Sequence, residues 1–218
     1  LNFALQNEPV LQKNKINLVS LNIRSINKHY SDLVSNVSLN SADIICLQET
    51  WLVKNQDLAF IKRDSYSITT ASNGFGSGVM MYTKNDLQGT PTCLITETSQ
   101  IIKLDTMNYD VITVYFCSNT AIDDNIVTLK SVINPTKPTY ICGDFNSNNV
   151  TKLEKLFVSL NDIGFIALFK SNQPTHEFGC TLDNLFTNVT TMDPNNDVKL
   201  HSVYYSDHEA IVFTINKI

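Results

Sequence analysis

Seven side chains able to do phosphate or metal chemistry stand at the ends of short apolar runs. Asn22 follows INLVSL, Glu49 follows DIICLQ, and Asp144 and Asn146 follow TYICG. Asp183 lies within TLDNLF, and Tyr205 and Ser206 lead into Asp207 and His208. This set of four carboxylates, two amides and one imidazole is rich in the oxygen donors that a hard cation such as Mg²⁺ prefers. Each piece alone has an ordinary reading. A Glu after a strand is usually a solvated strand end, an Asp-His pair is usually a turn, and GDFN suits a turn before a helix. The weight lies in the combination, because layered α/β folds gather ligands beyond strand ends, where loops converge.

The elements that must position these residues are short. Ile16 to Leu21, Asp43 to Gln48, Gly78 to Tyr82, Asp110 to Phe116, Thr139 to Cys142 and Glu209 to Ile215 read as strands. Most are rich in β-branched or aromatic residues, and several are apolar throughout, as strands covered on both faces are. Helical period places Tyr30, Leu33, Val34 and Val37 on one face, Ile126, Leu129 and Ile133 on another, and Leu153, Leu156, Phe157 and Leu160 on a third. Residues 71–77, 171–180 and 191–197 read as loops. Strands and helices interleave, which predicts sheets covered by helices, an α/β or α+β layered domain.

The 218 residues are 43% hydrophobic and no linker-like segment divides them, so one domain is expected. No apolar run has bilayer-spanning length, and Leu1 to Val10 lacks the basic start and apolar centre of a secretory signal. The chain begins with Leu, which suggests a piece of a longer polypeptide. Five scattered cysteines without metal-ligand spacing read as buried, reduced thiols of an intracellular protein. The N-x-[ST] triplets at Asn36, Asn149 and Asn188 are expected by chance in an Asn-rich chain. The net charge of −5 runs against the basic face usual in nucleic-acid binders. A bound divalent cation would offset part of it, and a small domain can leave tight DNA binding to its neighbours.

LNIRSINK at 21–28, DIICLQETWL at 43–52, GSGVMMYTK at 76–84 and VITVYF at 111–116 resemble successive motifs of the endonuclease/exonuclease/phosphatase superfamily. So do ICGDFNSN at 141–148, TLDNLFTN at 181–188 and YYSDHEAIVF at 204–213, all in the family's order. LNIRSINKHYSDL, LQETWL, TLDNLFTN and SDHEAI look most like the endonuclease domains of non-LTR retrotransposons, and more distantly like apurinic/apyrimidinic repair endonucleases. The inositol-phosphatase branch, with a Cys-containing signature in place of TLDNLF, fits poorly.

The resemblance implies a four-layer α/β sandwich, two mixed sheets packed face to face and flanked by helices, with the site at one end. It implies that Glu49 is the principal Mg²⁺ ligand, with Asn22 beside it and Asp207 completing the metal site; Mn²⁺ is an expected substitute. Asp144 would orient or deprotonate the attacking water, and Asn146 would hydrogen-bond a phosphate oxygen. His208, held by Asp183, would face the scissile phosphate, and Tyr115 would bring its hydroxyl near the phosphate or leaving group. These types suit the chemistry. A carboxylate accepts a proton near neutral pH, an imidazole held by a carboxylate is favoured as a cation, and Asn donates without adding negative charge.

The repair enzymes carry an acidic residue where this chain has Arg24, which weakens the case for a second metal and fits the retrotransposon branch. Tyr115 is followed by Phe116, Cys117 and Ser118 rather than an Arg-Pro-Pro-like turn. His176 reads either as a phosphate or DNA contact or as a plain loop residue. Thr175 and Ser206 are candidates to brace Asp183 and Asp207, and Arg24 is a candidate substrate contact or supporting residue. Trp51 is expected to pack beneath the site, Lys84 to be solvated, and His29 and His201 to be surface or structural. Asn188 to Lys199 is a candidate DNA-touching loop. The expected activity is nicking of double-stranded DNA to leave a 3′-hydroxyl. That end would prime a reverse transcriptase domain of the same polypeptide, inside the cell and at the nucleus. The alternatives are a phosphodiesterase acting on RNA, a lipid headgroup or a nucleotide, and a degenerate DNA-targeting module.

Overall fold

The computed structural model describes residues 15–53, 56–74, 76–117, 122–147, 149–170 and 173–216. The first sheet holds β1 (Lys15–Asn22), β2 (Ile44–Gln48), β3 (Tyr66–Ala71), β4 (Val79–Lys84), β11 (Val198–His201) and β12 (Ala210–Asn216), in the order β11-β12-β1-β2-β4-β3. The second holds β5 (Thr90–Ile95), β6 (Ser99–Asp105), β7 (Asp110–Phe116), β8 (Thr139–Asp144), β9 (Ile166–Ala167) and β10 (Asp183–Thr187), in the order β5-β6-β7-β8-β10-β9. Both sheets are mixed. β1 runs parallel to β2 and β7 parallel to β8, and the other pairs are antiparallel.

The sheets pack face to face over Leu18, Ile44, Cys46, Met81, Ile102, Val111, Cys142, Leu185, Ile211 and Phe213. Helices α1 (Ile26–Ser35) and α2 (Val37–Asn40) cover the outside of the first sheet, over Val19, Leu21, Ile45 and Leu47. Helices α3 (Ile122–Val132) and α4 (Val150–Asn161) cover the outside of the second, over Ile112, Val114, Ile141 and Phe186. This is the expected four-layer sandwich.

Strand alternation explains where the site forms. The inward row of β1 runs Leu18, Ser20, Asn22, and that of β8 runs Tyr140, Cys142, Asp144. β7 contributes Val111, Thr113 and Tyr115, and antiparallel β10 contributes Leu185 and Asp183. Each row passes from apolar through small or polar to a reactive type at the same end. Gln48 marks the crossover, its buried amide donating to Ser20 Oγ (3.2 Å) and across the sandwich to Thr113 Oγ1 (2.8 Å).

The six expected strands are present within one or two residues. β3, β5, β6, β9, β10 and β11 were not foreseen. β5 carries Pro91 and is largely exposed, and β9 has only two residues, so neither shows an apolar run. The first helical stripe is corrected. The helix stops at Ser35, and Asn36 restarts it by accepting from Leu39 N (3.2 Å), so Val37 is 73% exposed. The buried face of α1 is Ile26, His29 and Leu33. The expectation of buried thiols holds for Cys46 and Cys142 but not for Cys93, which lies exposed on β5; none of the five cysteines is in a disulfide. Lys84 is not simply solvated, since it pairs with Asp43 at 2.8 Å. The Leu1 to Val10 segment lies outside the described residues.

Gly143 shows why GDFN begins with glycine. Its φ is 145°, and a Cβ there would lie 2.0 Å from the Val114 carbonyl oxygen of the neighbouring strand. Substitution strains the backbone and pushes β7 and β8 apart together. Gly143→Ala is therefore expected to cost about 3 kcal/mol or more, read as a lower midpoint in urea unfolding.

Candidate active site

The end of the sandwich reached by Asn22, Tyr115, Asp144 and Asp183 also receives the loops that follow β2 and precede β12. Five non-glycine residues in the described part adopt positive φ, and all belong to this end: Arg24 (47°), Ser25 (94°), Glu49 (48°), Trp51 (56°) and Asn146 (48°). Such conformations cost on the order of 1–3 kcal/mol each and persist only where surrounding contacts impose them. Here the contacts are backbone bonds between two loops: Ile23 N to Gln48 O (3.0 Å), Ser25 N to Glu49 O (2.8 Å) and Ile26 N to Thr50 O (3.1 Å). The strained turns place the side chains of Arg24 and Glu49 together.

Two amides and two carboxylates form the first part of the site. Asn22 Nδ2 donates to Glu49 Oε1 (3.0 Å) and to Asp144 Oδ2 (2.8 Å), while its oxygen accepts from Arg24 N (3.2 Å). Asn22 thus turns its nitrogen, not the oxygen expected of a metal ligand, toward the carboxylates. Asp144 Oδ1 accepts from Asn146 N (2.8 Å), and Asn146 Nδ2 donates to Phe116 O (2.6 Å), leaving its second N–H for another acceptor. Asp144 is fully buried. Burial, reinforced by the Asp183 carboxylate, pushes its pKa up to about 7 against the opposing effects of His208, Asn146 and Asn22. The Tyr115 hydroxyl lies beside Asn146. Burial, then the charges of Glu49 and Asp144, raise it well above the usual phenol range and keep it a neutral donor.

The second part is cationic. His208 Nδ1 lies 2.8 Å from Asp183 Oδ2, and both side chains are buried. Burial alone would lower the imidazole pKa, but Asp183, Asp144 and Asp207 outweigh it and raise it to about 9. Thr175 meets Asp183 through the backbone, its Oγ1 accepting from the N–H groups of Leu182 and Asp183 (3.0 Å each). Ser206 acts differently from expectation. It donates to Asn22 O (2.7 Å) and accepts from His208 N (3.1 Å), tying β1 to the segment before β12 rather than touching the Asp207 carboxylate.

Arg24 joins the remaining acids. Its Nη1 bonds Asp207 Oδ2 and its Nε lies 3.9 Å from Glu49 Oε2. Asp207 is held below the usual carboxylate range; burial opposes this, and Arg24, then His208, overcome it. His176 Nε2 also approaches Asp207 Oδ2, at 3.3 Å. Trp51 donates to Glu49 Oε2 at 3.4 Å and lines an open cleft of about 490 Å³ with Arg24, Lys28, Tyr204 and Asp207. It thus reaches the site itself rather than packing beneath it.

Two tight groups of ionisable side chains occur among the described residues, Asp144–Asp183–His208 and His176–Asp207–His208. The first is already charge-compensated by the imidazolium. The better fit to a divalent cation is Glu49 with Asp207. Both carboxylates reach the same guanidinium, so one positive charge already serves both. Asp207 Oδ1 is buried without a hydrogen-bond partner, an orphaned acceptor that a cation would satisfy.

Other expected residues lie elsewhere. His29 is structural, 3.1 Å from Asp32 and stacked on Tyr205. His201 lies 3.3 Å from Asn36. The 188–199 stretch is corrected as a DNA-touching loop. Asn188 bonds Thr139 N and Lys137 O (2.8 Å each), and Asp197 bonds Lys15 (2.6 Å), both at the opposite ends of β8 and β1 from Asp144 and Asn22. Sequence reasoning missed the bridging position of Arg24, which depends on left-handed backbone that no motif announces.

The His208 ion pair carries a stability signature. Its folded pKa of about 9 exceeds the unfolded 6.5, so its contribution is full below about pH 6.5 and disappears as pH rises through about 9. In EDTA, the deficit of His208→Gln against the wild type is expected to shrink over that interval by on the order of 3 kcal/mol, measured by urea unfolding at successive pH values.

The endonuclease domain of TRAS1, a telomere-specific non-LTR retrotransposon, superposes with a TM-score of 0.71 at 17% identity, over 93% of this chain and 98% of that one. An AP endonuclease from Archaeoglobus fulgidus gives 0.66 at 15% identity, over 93% and 100%. The 3′ phosphatase NExo from Neisseria, bound to product DNA hairpin, gives 0.68 at 14% identity, over 93% and 100%. No curated protein matches the sequence. The family model of the endonuclease/exonuclease/phosphatase proteins matches residues 19–208, from β1 to His208, and the chain belongs to that family.

Proposed function

We propose that this chain is a divalent-metal-dependent endonuclease that nicks one strand of duplex DNA and leaves a 3′-hydroxyl. The observation that carries this reading is the convergence of Glu49 and Asp207 on one cation position beside a His208 imidazolium and a buried Asp144. The likeness to the TRAS1 endonuclease domain supports a further step, in which that 3′-hydroxyl primes a reverse transcriptase domain of the same polypeptide in the nucleus.

Glu49 and Asp207 would hold the ion, Mg²⁺ by their hard oxygen chemistry, with Mn²⁺ as a substitute. When bound, it supplies positive charge to the phosphoryl oxygens and to the departing oxygen. Asp144, with a pKa of about 7, accepts the proton of the attacking water at neutral pH. The water oxygen bonds to phosphorus and the P–O3′ bond breaks; the departing O3′ takes up a proton from solvent, so the products are a 5′-phosphate and a 3′-hydroxyl. His208, held by Asp183, directs its Nε2–H at the phosphate as the charge builds. The second N–H of Asn146 and the neutral Tyr115 hydroxyl are further donors without negative charge. Lys28 and exposed Tyr204, on the walls of the cleft, offer a cation and an aromatic face to the flanking strand.

The net charge of −5 favours a second reading, a phosphodiesterase acting on RNA, a lipid headgroup or a nucleotide. Turnover of supercoiled plasmid, RNA and a chromogenic phosphodiester side by side distinguishes the two. On the plasmid, Glu49→Ala and His208→Ala are each expected to lower the Mg²⁺-dependent nicking rate by about 100-fold or more. Unchanged nicking in both variants rejects the proposal.

A further inference from the structure

His176 lies outside the seven-residue set, yet both of its ring nitrogens are engaged. Nδ1 accepts from the backbone N–H of Phe178 (3.2 Å). A nitrogen facing a donor carries a lone pair, so the network assigns the ring proton to Nε2, which lies 3.3 Å from Asp207 Oδ2. The ring also stands edge-on to His208, with centroids 4.7 Å apart and planes at 84°. The backbone holds this pose. His176 pairs with His208 in an isolated antiparallel bridge, Glu177 N donates to Asp207 O (2.9 Å), and Glu209 N donates to Thr175 O (2.8 Å).

Asp207 Oδ2 therefore has two partners of different character. Arg24 is a long side chain, 48% exposed, reaching in from the cleft. His176 is 11% exposed and fixed at both nitrogens. With Oδ2 held from the protein side, Oδ1 is left buried without a hydrogen bond, 4.0 Å from His208 Nε2.

We infer that His176 is a positioning residue that fixes the Asp207 carboxylate through Oδ2, presents Oδ1 to the divalent cation and buttresses the His208 ring. The inference rests on the proposed metal site at Glu49 and Asp207. Hydrogen bonds to a ligating carboxylate orient it, and losing such a partner typically costs 10–100-fold in metal affinity or activity. The inference also explains how Asp207 stays aligned if Arg24 gives way to a cation.

The test uses Mn²⁺ alone, its affinity for the chain measured by electron paramagnetic resonance without nucleic acid. His176→Phe keeps a ring against His208 but has no donor, whereas His176→Gln restores an N–H of similar reach. His176→Phe is expected to bind Mn²⁺ about tenfold more weakly, and His176→Gln to recover most of the loss. A double-mutant cycle on nicking separates positioning from a general effect on the fold. The cost of His176→Phe should vanish when Asp207 is already Ala, because it acts through that carboxylate. Equal Mn²⁺ affinity in His176→Phe and wild type overturns the inference. So does a His176→Gln variant as impaired as His176→Phe, or a cost that persists undiminished beside Asp207→Ala. Failure of the wild type itself to bind Mn²⁺ removes the metal site, and with it the proposed function as well as this role.

Discussion

Four carboxylates, Glu49, Asp144, Asp183 and Asp207, converge on one end of a chain that is already net negative, and their mutual repulsion is the constraint the structure must satisfy. At the opposite end of the sandwich three acids each meet a lysine. Lys84 pairs with Asp43 (2.8 Å), Lys15 with Asp197 (2.6 Å), and Lys103 and Lys137 both with Asp110 (2.7 Å). At the active end no described lysine plays that part. The compensation comes from His208, whose charge depends on Asp183, from Arg24 across Glu49 and Asp207, and from Asp144 accepting a raised pKa. A site balanced in this way favours a further cation, and that is the electrostatic basis of the function proposed for it.

The fold supplies the rigidity this arrangement needs. The reactive rows grow out of β1, β7, β8 and β10, whose inner faces are locked by the core and by the Gln48 link between sheets. The strained turns at Arg24, Glu49 and Asn146 are held by backbone bonds between loops, so they cannot relax without unpairing donors. The side of the site facing the cleft is more open, with exposed Phe178 and Tyr204 beside the charged residues. Under the proposed function, contacts to a flanking strand would fall to the 173–178 and 203–206 segments rather than to 188–199, which packs at the far end.

Much of this was legible in the sequence, and the limits have physical causes. Strands such as TYICGD and DVITVYF are buried on both faces, so their apolar runs announce them. β5 and β3 are more exposed or mixed and carry no such run. The α1 stripe extended too far because periodicity does not register a cap, and the Asn36 side chain ends one helix and starts the next. In the site, the candidate residues were identifiable from their place beside or within short apolar runs and from the family resemblance of the motifs that hold them. The bridging of Arg24 and the anchoring by His176 were not, since each depends on how separate loops meet.

The central claim is that Glu49 and Asp207 share one divalent cation and that Arg24 stands in its place. A crystal structure of the chain soaked in Mn²⁺, with the ion located by anomalous scattering, tests it most directly. The account predicts a single strong peak within coordination distance of Glu49 and of Asp207 Oδ1, with the Arg24 guanidinium displaced toward the cleft. A peak instead among Asp144, Asp183 and His208, with Arg24 still bridging the two outer acids, would contradict it.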